Sequence, residues 1–265
     1  MSESAYDRVR LARDCKRPTG LDYVKNIFRG FIELHGDRRF ADDPAVVGGV
    51  AMLGRTPVTV IAIEKGHTAK ERSQRNFGAP LPEGYRKALR LMKQAEKFGR
   101  PVISFIDTSG AYCGVGAEER GQGQAIAESL MEMSTLCVPV ISILIGEGGS
   151  GGALALAVAD RVWMLQNAVY SVISPEGCAS ILWKDPGKAE AAAKSLRLTA
   201  EDAKSLGVIE RILSEKDIGR KEFYDRIRAL LSEELAVLLQ DMELTQKRYD
   251  RFRRLGSEAS VKEEA

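Results

Sequence analysis

Histidine and cysteine are both scarce, because the 265 residues contain two of the first and four of the second. His35 and His67 share no ligand spacing with a cysteine pair, and no C-x-x-C motif is present, so the sequence predicts no metal site. Widely separated cysteines without a pairing pattern are typical of reduced, buried thiols in a cytoplasmic protein. The four cysteines are Cys15, Cys113, Cys137 and Cys178.

The chain also lacks an excess of one charge and any long apolar run. Its net charge of +2 at pH 7 gives no electrostatic reason to expect nucleic acid as a partner. No apolar run reaches the roughly 18 residues that a membrane span needs, and residues 1–6 do not resemble a signal peptide. A hydrophobic fraction of 44% and a charged fraction of 29% are those of a globular protein with one large core.

One stretch combines a buried strand, a glycine turn and an apolar helix. Residues 138–145 are rich in β-branched side chains, which predicts a strand covered on both faces. Residues 146–152 are mostly glycine, which lets the backbone turn sharply and approach a ligand closely. Residues 153–159 are apolar and predict a helix that begins directly behind this turn.

The same order of elements occurs earlier in the chain. A strand predicted over 102–106 leads into a second glycine-rich turn over 107–116 and then a helix over 118–136. Ligands of α/β folds bind at the carboxyl ends of strands. The two turns are therefore predicted to line one site.

The remaining pattern predicts a hairpin, several helices and one long loop. Strands are expected over 46–53 and 58–64, and helices over 21–28 and 83–98. A basic loop over 66–82 contains Lys70, Arg72 and Arg75, and its length suggests a functional role. Apolar residues three and four apart predict one long helix from residue 221 to residue 254, and the polar tail over 256–265 is expected to be disordered.

The central glycine turn fits three familiar motifs incompletely. It satisfies G-x-G-x-x-G, but the strand that follows ends in Gln166 and Asn167 instead of the acidic residue that a dinucleotide site needs. A P-loop is excluded because no lysine follows the glycines. Ser150 lies in a G-x-S-x-G motif, but both histidines precede it, which disfavours an α/β-hydrolase. A dinucleotide-binding enzyme remains the weaker alternative.

The backbone of this turn offers a different chemistry. Successive N–H groups of Gly151, Gly152 and Ala153 at the start of a helix can form an oxyanion hole. No acid–base pair stands out in either turn. Donors without a side-chain base suit a reaction that passes through an enolate.

At these residues the sequence resembles the alpha subunits of bacterial acetyl-CoA carboxylase carboxyltransferases. The resemblance covers residues 6–255, and its longest runs are 75–78, 82–92, 105–108, 114–121, 145–155 and 170–184. It implies an α/β fold of the crotonase-like (ClpP/crotonase) type, a spiral of ββα units with a long C-terminal helix. It also implies a single carboxyltransferase domain over 1–255.

The resemblance implies that the carboxyl group of carboxybiotin is transferred to acetyl-CoA, giving malonyl-CoA for fatty acid biosynthesis. The catalytic groups would be the backbone N–H groups of Gly151, Gly152 and Ala153, with Gly152 and Ala153 on the ureido oxygen of biotin. The residues implied in biotin binding are Gly110, Ala111, Tyr112, Gly149, Ser150, Ser174, Pro175 and Glu176.

The family also implies partners and the location of its cofactors. A beta subunit would complete the site in an α₂β₂ assembly and would carry the zinc and the acetyl-CoA side. Biotin would reach the site on the biotin carboxyl carrier protein, which biotin carboxylase loads, so this chain would bind no cofactor covalently. No membrane or nucleic-acid partner is implied, and the location would be cytoplasmic.

Two residues depart from the family's pattern. Ser109 and Cys113 stand where the family has prolines, which removes two backbone restraints from the second glycine turn. A non-catalytic scaffold of the same fold is the alternative function, although such a scaffold would not need the glycines of residues 148–152.

Overall fold

The computed structural model describes residues 4–256. The tail predicted to be disordered lies, apart from Gly256, outside these residues. Within 4–256 the chain forms eight strands, which are β1 (Arg29–Glu33), β2 (Val46–Leu53), β3 (Thr56–Ile63), β4 (Val102–Thr108), β5 (Val140–Gly149), β6 (Arg161–Leu165), β7 (Val169–Ser171) and β8 (Arg211–Leu213).

Helices cover both faces of these strands and extend to the end of the described chain. They are α1 (Ala5–Ala12), α2 (Gly20–Ile27), α3 (Ala69–Gln74), α4 (Pro82–Lys97), α5 (Val115–Glu119), α6 (Gln122–Thr135), α7 (Ser150–Leu154), α8 (Pro175–Trp183), α9 (Ala189–Leu196), α10 (Ala200–Ser205), α11 (Lys221–Leu238) and α12 (Leu244–Arg254). None of those within residues 4–256 is long and apolar enough to cross a membrane.

The strands form one mixed sheet in the order β1-β2-β3-β4-β5-β6-β8, and β7 pairs with the end of β5. β1, β2 and β3 are antiparallel, whereas β3, β4, β5 and β6 are parallel neighbours. Every residue of β4 is buried, as are the first seven of β5, which confirms a central strand covered on both faces. The carboxyl ends of β3, β4 and β5 therefore meet at one edge of the sheet.

Several local predictions are confirmed within one or two residues. β2 and β3 form the expected hairpin, and Gly54 takes the positive φ of 61° that its tight turn requires. α4 ends before Gly99, as predicted, and buries Tyr85, Met92 and Ala95 of its expected apolar face, whereas Leu89 is only partly buried. The buried side chain of Tyr85 in this helix contacts the first glycine turn, because its hydroxyl donates to the carbonyl oxygen of Gly152.

The prediction of one long C-terminal helix is wrong, because α11 ends at Leu238 and α12 begins at Leu244. Met242, an apolar residue inside the range predicted for this helix, is 96% exposed. The apolar spacing continues in the two helices on either side of the break, so spacing alone gives no sign of it. The change of direction instead brings the buried Arg248 of α12 against Asp160.

Other differences arise where a turn or a short element interrupts the pattern. β1 was not predicted, and the expected loop over 66–82 contains α3, whose Thr68 caps it by accepting the Glu71 N–H. The helix expected over 118–136 is divided at Gly121, which has φ of 82°. The helix behind the glycine turn starts within it, at Ser150, and is only five residues long.

The cysteine prediction is partly wrong. All four thiols are free, but Cys15, Cys113 and Cys137 are exposed and only Cys178 is buried. Exposure of Cys113 follows from its position in the second glycine turn, which projects beyond the end of β4. The apolar residues that flank these cysteines in the sequence therefore did not predict whether the thiols are buried.

Candidate active site

The two glycine turns pack directly against each other at the carboxyl ends of β4 and β5. A Cβ atom on Gly149 would lie 2.1 Å from the carbonyl oxygen of Ser109, and one on Gly152 would lie 2.5 Å from the amide nitrogen of Ala111. Both distances are too short for any side chain. Glycine at these two positions is thus what allows the turns to meet.

The backbone at the start of α7 offers N–H donors. The first N–H groups of a helix have no acceptor inside it, and in α7, whose N-cap is Gly149, these include those of Gly151 and Gly152. The hydroxyl of Tyr85 donates to the carbonyl oxygen of Gly152 at 3.2 Å. This hydrogen bond fixes the peptide group between Gly152 and Ala153 on its buried side. Burial raises the pKa of Tyr85, so this hydroxyl stays neutral. Such fixed donors can stabilise negative charge that develops on an oxygen.

Ser150 is not arranged as a nucleophile. Its φ of 53° is strained for a residue other than glycine, and its side chain is exposed. Both features also occur in a nucleophile elbow. However, His67 Nε2 lies 2.9 Å from a carboxylate oxygen of Asp22, and His35 Nδ1 lies 3.0 Å from one of Asp42. Neither imidazole has Ser150 among its hydrogen-bond partners in the described chain. The residues from 4 to 256 also contain no group of acidic, histidine or cysteine side chains placed to hold a metal.

Sequence reasoning missed a network of ion pairs beside the glycine turns. The ammonium of Lys65, just after β3, lies 2.6 Å from Asp107 Oδ1 in β4 and 3.4 Å from Glu147 Oε2 in β5. Arg13 extends the network from Glu147 to Glu176 at the start of α8. A cavity of about 210 Å³, lined in part by Arg13, Lys65, Asp107 and Glu147, adjoins it.

Asp107 holds the first part of the β5 turn in place. Its Oδ1 accepts the Glu147 N–H at 2.8 Å, and a Cβ on Gly146 would lie 2.3 Å from the same oxygen. Burial lowers the pKa of Lys65, but the carboxylates of Asp107 and Glu147 outweigh burial and raise it. The ammonium therefore stays charged and satisfies both carboxylates. In the sequence, the only sign of this network is that a charged residue, Lys65, Asp107 or Glu147, follows closely after each of three predicted strands.

We expect Asp107→Asn to loosen this edge of the sheet. The amide keeps an oxygen for the Glu147 N–H but removes the charge that faces Lys65, at a cost of about 1–3 kcal/mol in the free energy of unfolding. Urea unfolding followed by circular dichroism measures this loss. Asp14→Asn, which removes an exposed carboxylate from the same cavity, is the control and should change stability little. Equal stability of wild type and Asp107→Asn would contradict the role given to Asp107.

The structure brings most of the predicted biotin-binding residues together. Gly110 and Ala111 contact the turn at Gly152, as described above. Ser174 and Pro175 lie across a narrow cavity of about 20 Å³ from Gly149. Ser174 also caps α8, because its hydroxyl accepts the Gly177 N–H at 3.1 Å.

The three other predicted residues are exposed or have partners within the chain. Tyr112 is 40% exposed, and its backbone is held by Pro80 and Gln122 rather than by the other turn. Ser150 is exposed, and the carboxylate of Glu176 is occupied by Arg13 and by the hydroxyl of Tyr6.

The basic loop is largely committed to structural contacts. Lys65, at its edge, is paired as described above. Arg72 donates to the carbonyl oxygen of Gly66 at 3.1 Å, and Arg75 donates to that of Pro44. Lys70 of this loop, in contrast, is exposed to solvent.

Comparison with known proteins identifies relatives over nearly the whole chain. A family model described as acetyl co-enzyme A carboxylase carboxyltransferase-like matches residues 2–256. Subunit alpha of the acetyl-coenzyme A carboxylase carboxyl transferase of Ruminiclostridium cellulolyticum is 61% identical over 255 residues, which are 96% of this chain and 98% of the relative. A protein of Natranaerobius thermophilus named as subunits beta/alpha of this transferase is 56% identical, over 95% of this chain and 42% of its own length.

Among solved structures, a transcarboxylase 12S with methylmalonyl-coenzyme A and methylmalonic acid bound matches with a TM-score of 0.70 at 18% identity. The match covers 91% of this chain but 46% of that chain, so this chain spans about half its length. At this identity the likeness shows the fold alone, and it confirms the crotonase-like prediction. The family match and the close relatives together show that this chain belongs to the family of acetyl-CoA carboxylase carboxyltransferase alpha subunits.

Proposed function

We propose that this chain supplies the biotin side of a carboxyltransferase that moves the carboxyl group of carboxybiotin to acetyl-CoA and forms malonyl-CoA. The observation that carries the proposal is the contact between the two glycine turns, which leaves the N–H groups of Gly152 and Ala153 at a fixed position. Glycine lets the backbone of this turn come close to a neighbouring group without a Cβ in the way. Biotin is the substrate here and arrives on its carrier protein.

In this proposal the two N–H groups donate to the ureido oxygen of biotin. They stabilise the negative charge that develops there as the carboxyl group leaves, and Gly151 provides a neighbouring donor. The side chains of this turn include no acid–base pair within hydrogen-bond distance of one another. In this proposal the released biotin nitrogen takes the proton from the acetyl group, so the reaction needs no base from this turn.

We further propose that residues 1–255 act as one domain that is active only with a beta subunit, in an α₂β₂ assembly. The beta subunit would carry zinc and the acetyl-CoA side, while biotin carboxylase and the biotin carboxyl carrier protein supply carboxybiotin. The beta/alpha name of the Natranaerobius relative supports a close association of the two subunits. Fatty acid biosynthesis in the cytoplasm is the setting that this reaction implies.

A non-catalytic scaffold is the competing function. A scaffold needs a surface for its partner, but it has no use for a turn that brings the N–H groups at the start of α7 to the carboxyl ends of β4 and β5. The scaffold also gives no reason for Tyr85 to brace the peptide of Gly152 from the buried side. These two features favour the catalytic role.

The test is to assay this chain with and without its cognate beta subunit. We expect the pair, but neither subunit alone, to decarboxylate malonyl-CoA with biotin as acceptor. The readout is acetyl-CoA formed in the presence and absence of biotin. Activity of this chain alone would contradict the shared site, and a stable but inactive pair would favour the scaffold.

A further inference from the structure

The narrow cavity beside the glycine turns has two walls that come from distant parts of the chain. One wall is the end of β5, with Gly148 and Gly149, and the other is formed by residues 171–175 and the start of α8. Between them remains a volume of only about 20 Å³. A small displacement of either wall therefore changes the shape of the surface that they form together.

The two walls are paired at their base, where Ser171 at the end of β7 lies opposite Gly149, and beyond this point Arg13 joins them. Its Nε lies 2.8 Å from Glu147 Oε1, two residues before Gly149. Its two terminal nitrogens lie 2.7 and 3.2 Å from the two carboxylate oxygens of Glu176, in the second position of α8. Arginine is suited to this because its planar fork can hold one carboxylate with two nitrogens and still present Nε to another.

The electrostatics of Glu176 show how strongly it depends on Arg13. The hydrogen bonds from Arg13 are the largest cause that lowers the pKa of Glu176 to about 2, and the hydroxyl of Tyr6 donates to the same carboxylate at 3.0 Å. Glu147 has a second cation in Lys65, at 3.4 Å. Loss of Arg13 therefore leaves Glu147 paired but leaves Glu176 without its cation.

The helix that precedes Arg13 is held in place by other contacts. Val9 and Ala12 of α1 are buried against Val169, Ala193 and Leu198. Ser4 caps the helix by accepting the Asp7 N–H. A change of the Arg13 side chain can therefore break the link between the walls while α1 keeps its position.

We propose that Arg13 is a positioning residue for biotin, because it fixes the start of α8 relative to the glycine turn that holds the oxyanion donors. This inference rests on the proposed function. It adds a residue outside the glycine turns that affects how biotin is bound. Arg13 acts through Glu176, whose carboxylate is committed to Arg13 and Tyr6 rather than to the substrate. The start of α8 then presents Ser174 and Pro175 to the bound ring.

The experiment compares Arg13→Gln with wild type in the complex with the beta subunit, using malonyl-CoA and free biotin. We expect the KM for biotin to rise roughly five- to tenfold, the effect of losing one partly exposed charge-assisted contact, while the KM for malonyl-CoA stays the same. Arg13→Lys should recover part of the loss, because an ammonium can hold only one of the two carboxylates. Lys16→Gln, which removes an exposed charge three residues further on, is the matched control.

A double substitution separates positioning from direct contact. If Arg13 acts through Glu176, Glu176→Gln alone should raise the KM for biotin similarly, and the double variant should be no worse than either single one. Additive losses would mean that Glu176 contacts biotin by itself and would overturn the inference. So would an unchanged KM for biotin in Arg13→Gln, or an equal rise in both KM values. An inactive wild-type complex would instead overturn the proposed function, and this inference with it.

Discussion

Gly152→Ala is expected to reduce carboxyl transfer by about 10²–10³-fold, the range found when one oxyanion donor is lost. The added Cβ would lie 2.5 Å from the amide nitrogen of Ala111, 2.8 Å from the carbonyl carbon of Gly110 and 2.8 Å from the hydroxyl of Tyr85. Two of these three neighbours are backbone atoms, which cannot rotate away. The turn must therefore shift, and the N–H groups at 152 and 153 move with it.

The reaction to measure is malonyl-CoA decarboxylation with biotin, in the complex with the beta subunit. The loss should appear mainly in kcat, because the donors act on charge that develops in the transition state. Gly151→Ala should be milder, since its Cβ would meet only the side chain of Ile126, at 3.6 Å. Gly123→Ala, a helical position with open space around it, is the control for folding and assembly. Near wild-type turnover in Gly152→Ala would contradict the oxyanion role.

The central part of this architecture could be predicted from the sequence because its signals are local. A nearly continuous apolar run rich in β-branched residues is typical of a strand buried on both faces, and the first part of β5 is such a strand. Ligands of α/β folds bind at the carboxyl ends of strands, and for this reason the sequence predicted that the glycine turns after β4 and β5 lie together. That Gly149 and Gly152 touch the other turn could not be predicted, since it depends on the register between β4 and β5.

The ion pairs around the candidate site had no local signal at all. Arg13 is separated from Glu147 by 134 residues and from Glu176 by 163 residues. Nothing in a charged segment near the N-terminus distinguishes a cation that joins two walls from one that faces solvent. The break after α11 was missed because the apolar spacing continues across it, although Asp241 marks it locally by accepting the Glu243 N–H at 3.0 Å.

The contact between Arg248 and Asp160 is the most completely buried charge pair of the described chain. The side chain of Arg248 is 0% exposed and that of Asp160 is 3% exposed. The guanidinium donates to both carboxylate oxygens of Asp160, at 2.9 and 2.7 Å. It also donates to three carbonyl oxygens at the end of α6 and in the segment before β5, those of Met133, Leu136 and Val138. One side chain thus attaches α12 to the segment that leads into β5.

Arg248→Met is expected to lower the free energy of unfolding by about 3–5 kcal/mol, because it leaves a buried carboxylate without its cation. The Val140 N–H, at 2.7 Å, would be the carboxylate's main remaining partner. Adding Asp160→Asn should recover part of the loss, since the double variant buries no uncompensated charge while its amide oxygen still accepts from Val140. Urea unfolding followed by circular dichroism measures all three, with the exposed Arg253→Met on the same helix as control. If Arg248→Met were no less stable than Arg253→Met, this pair would not be what holds α12 in place.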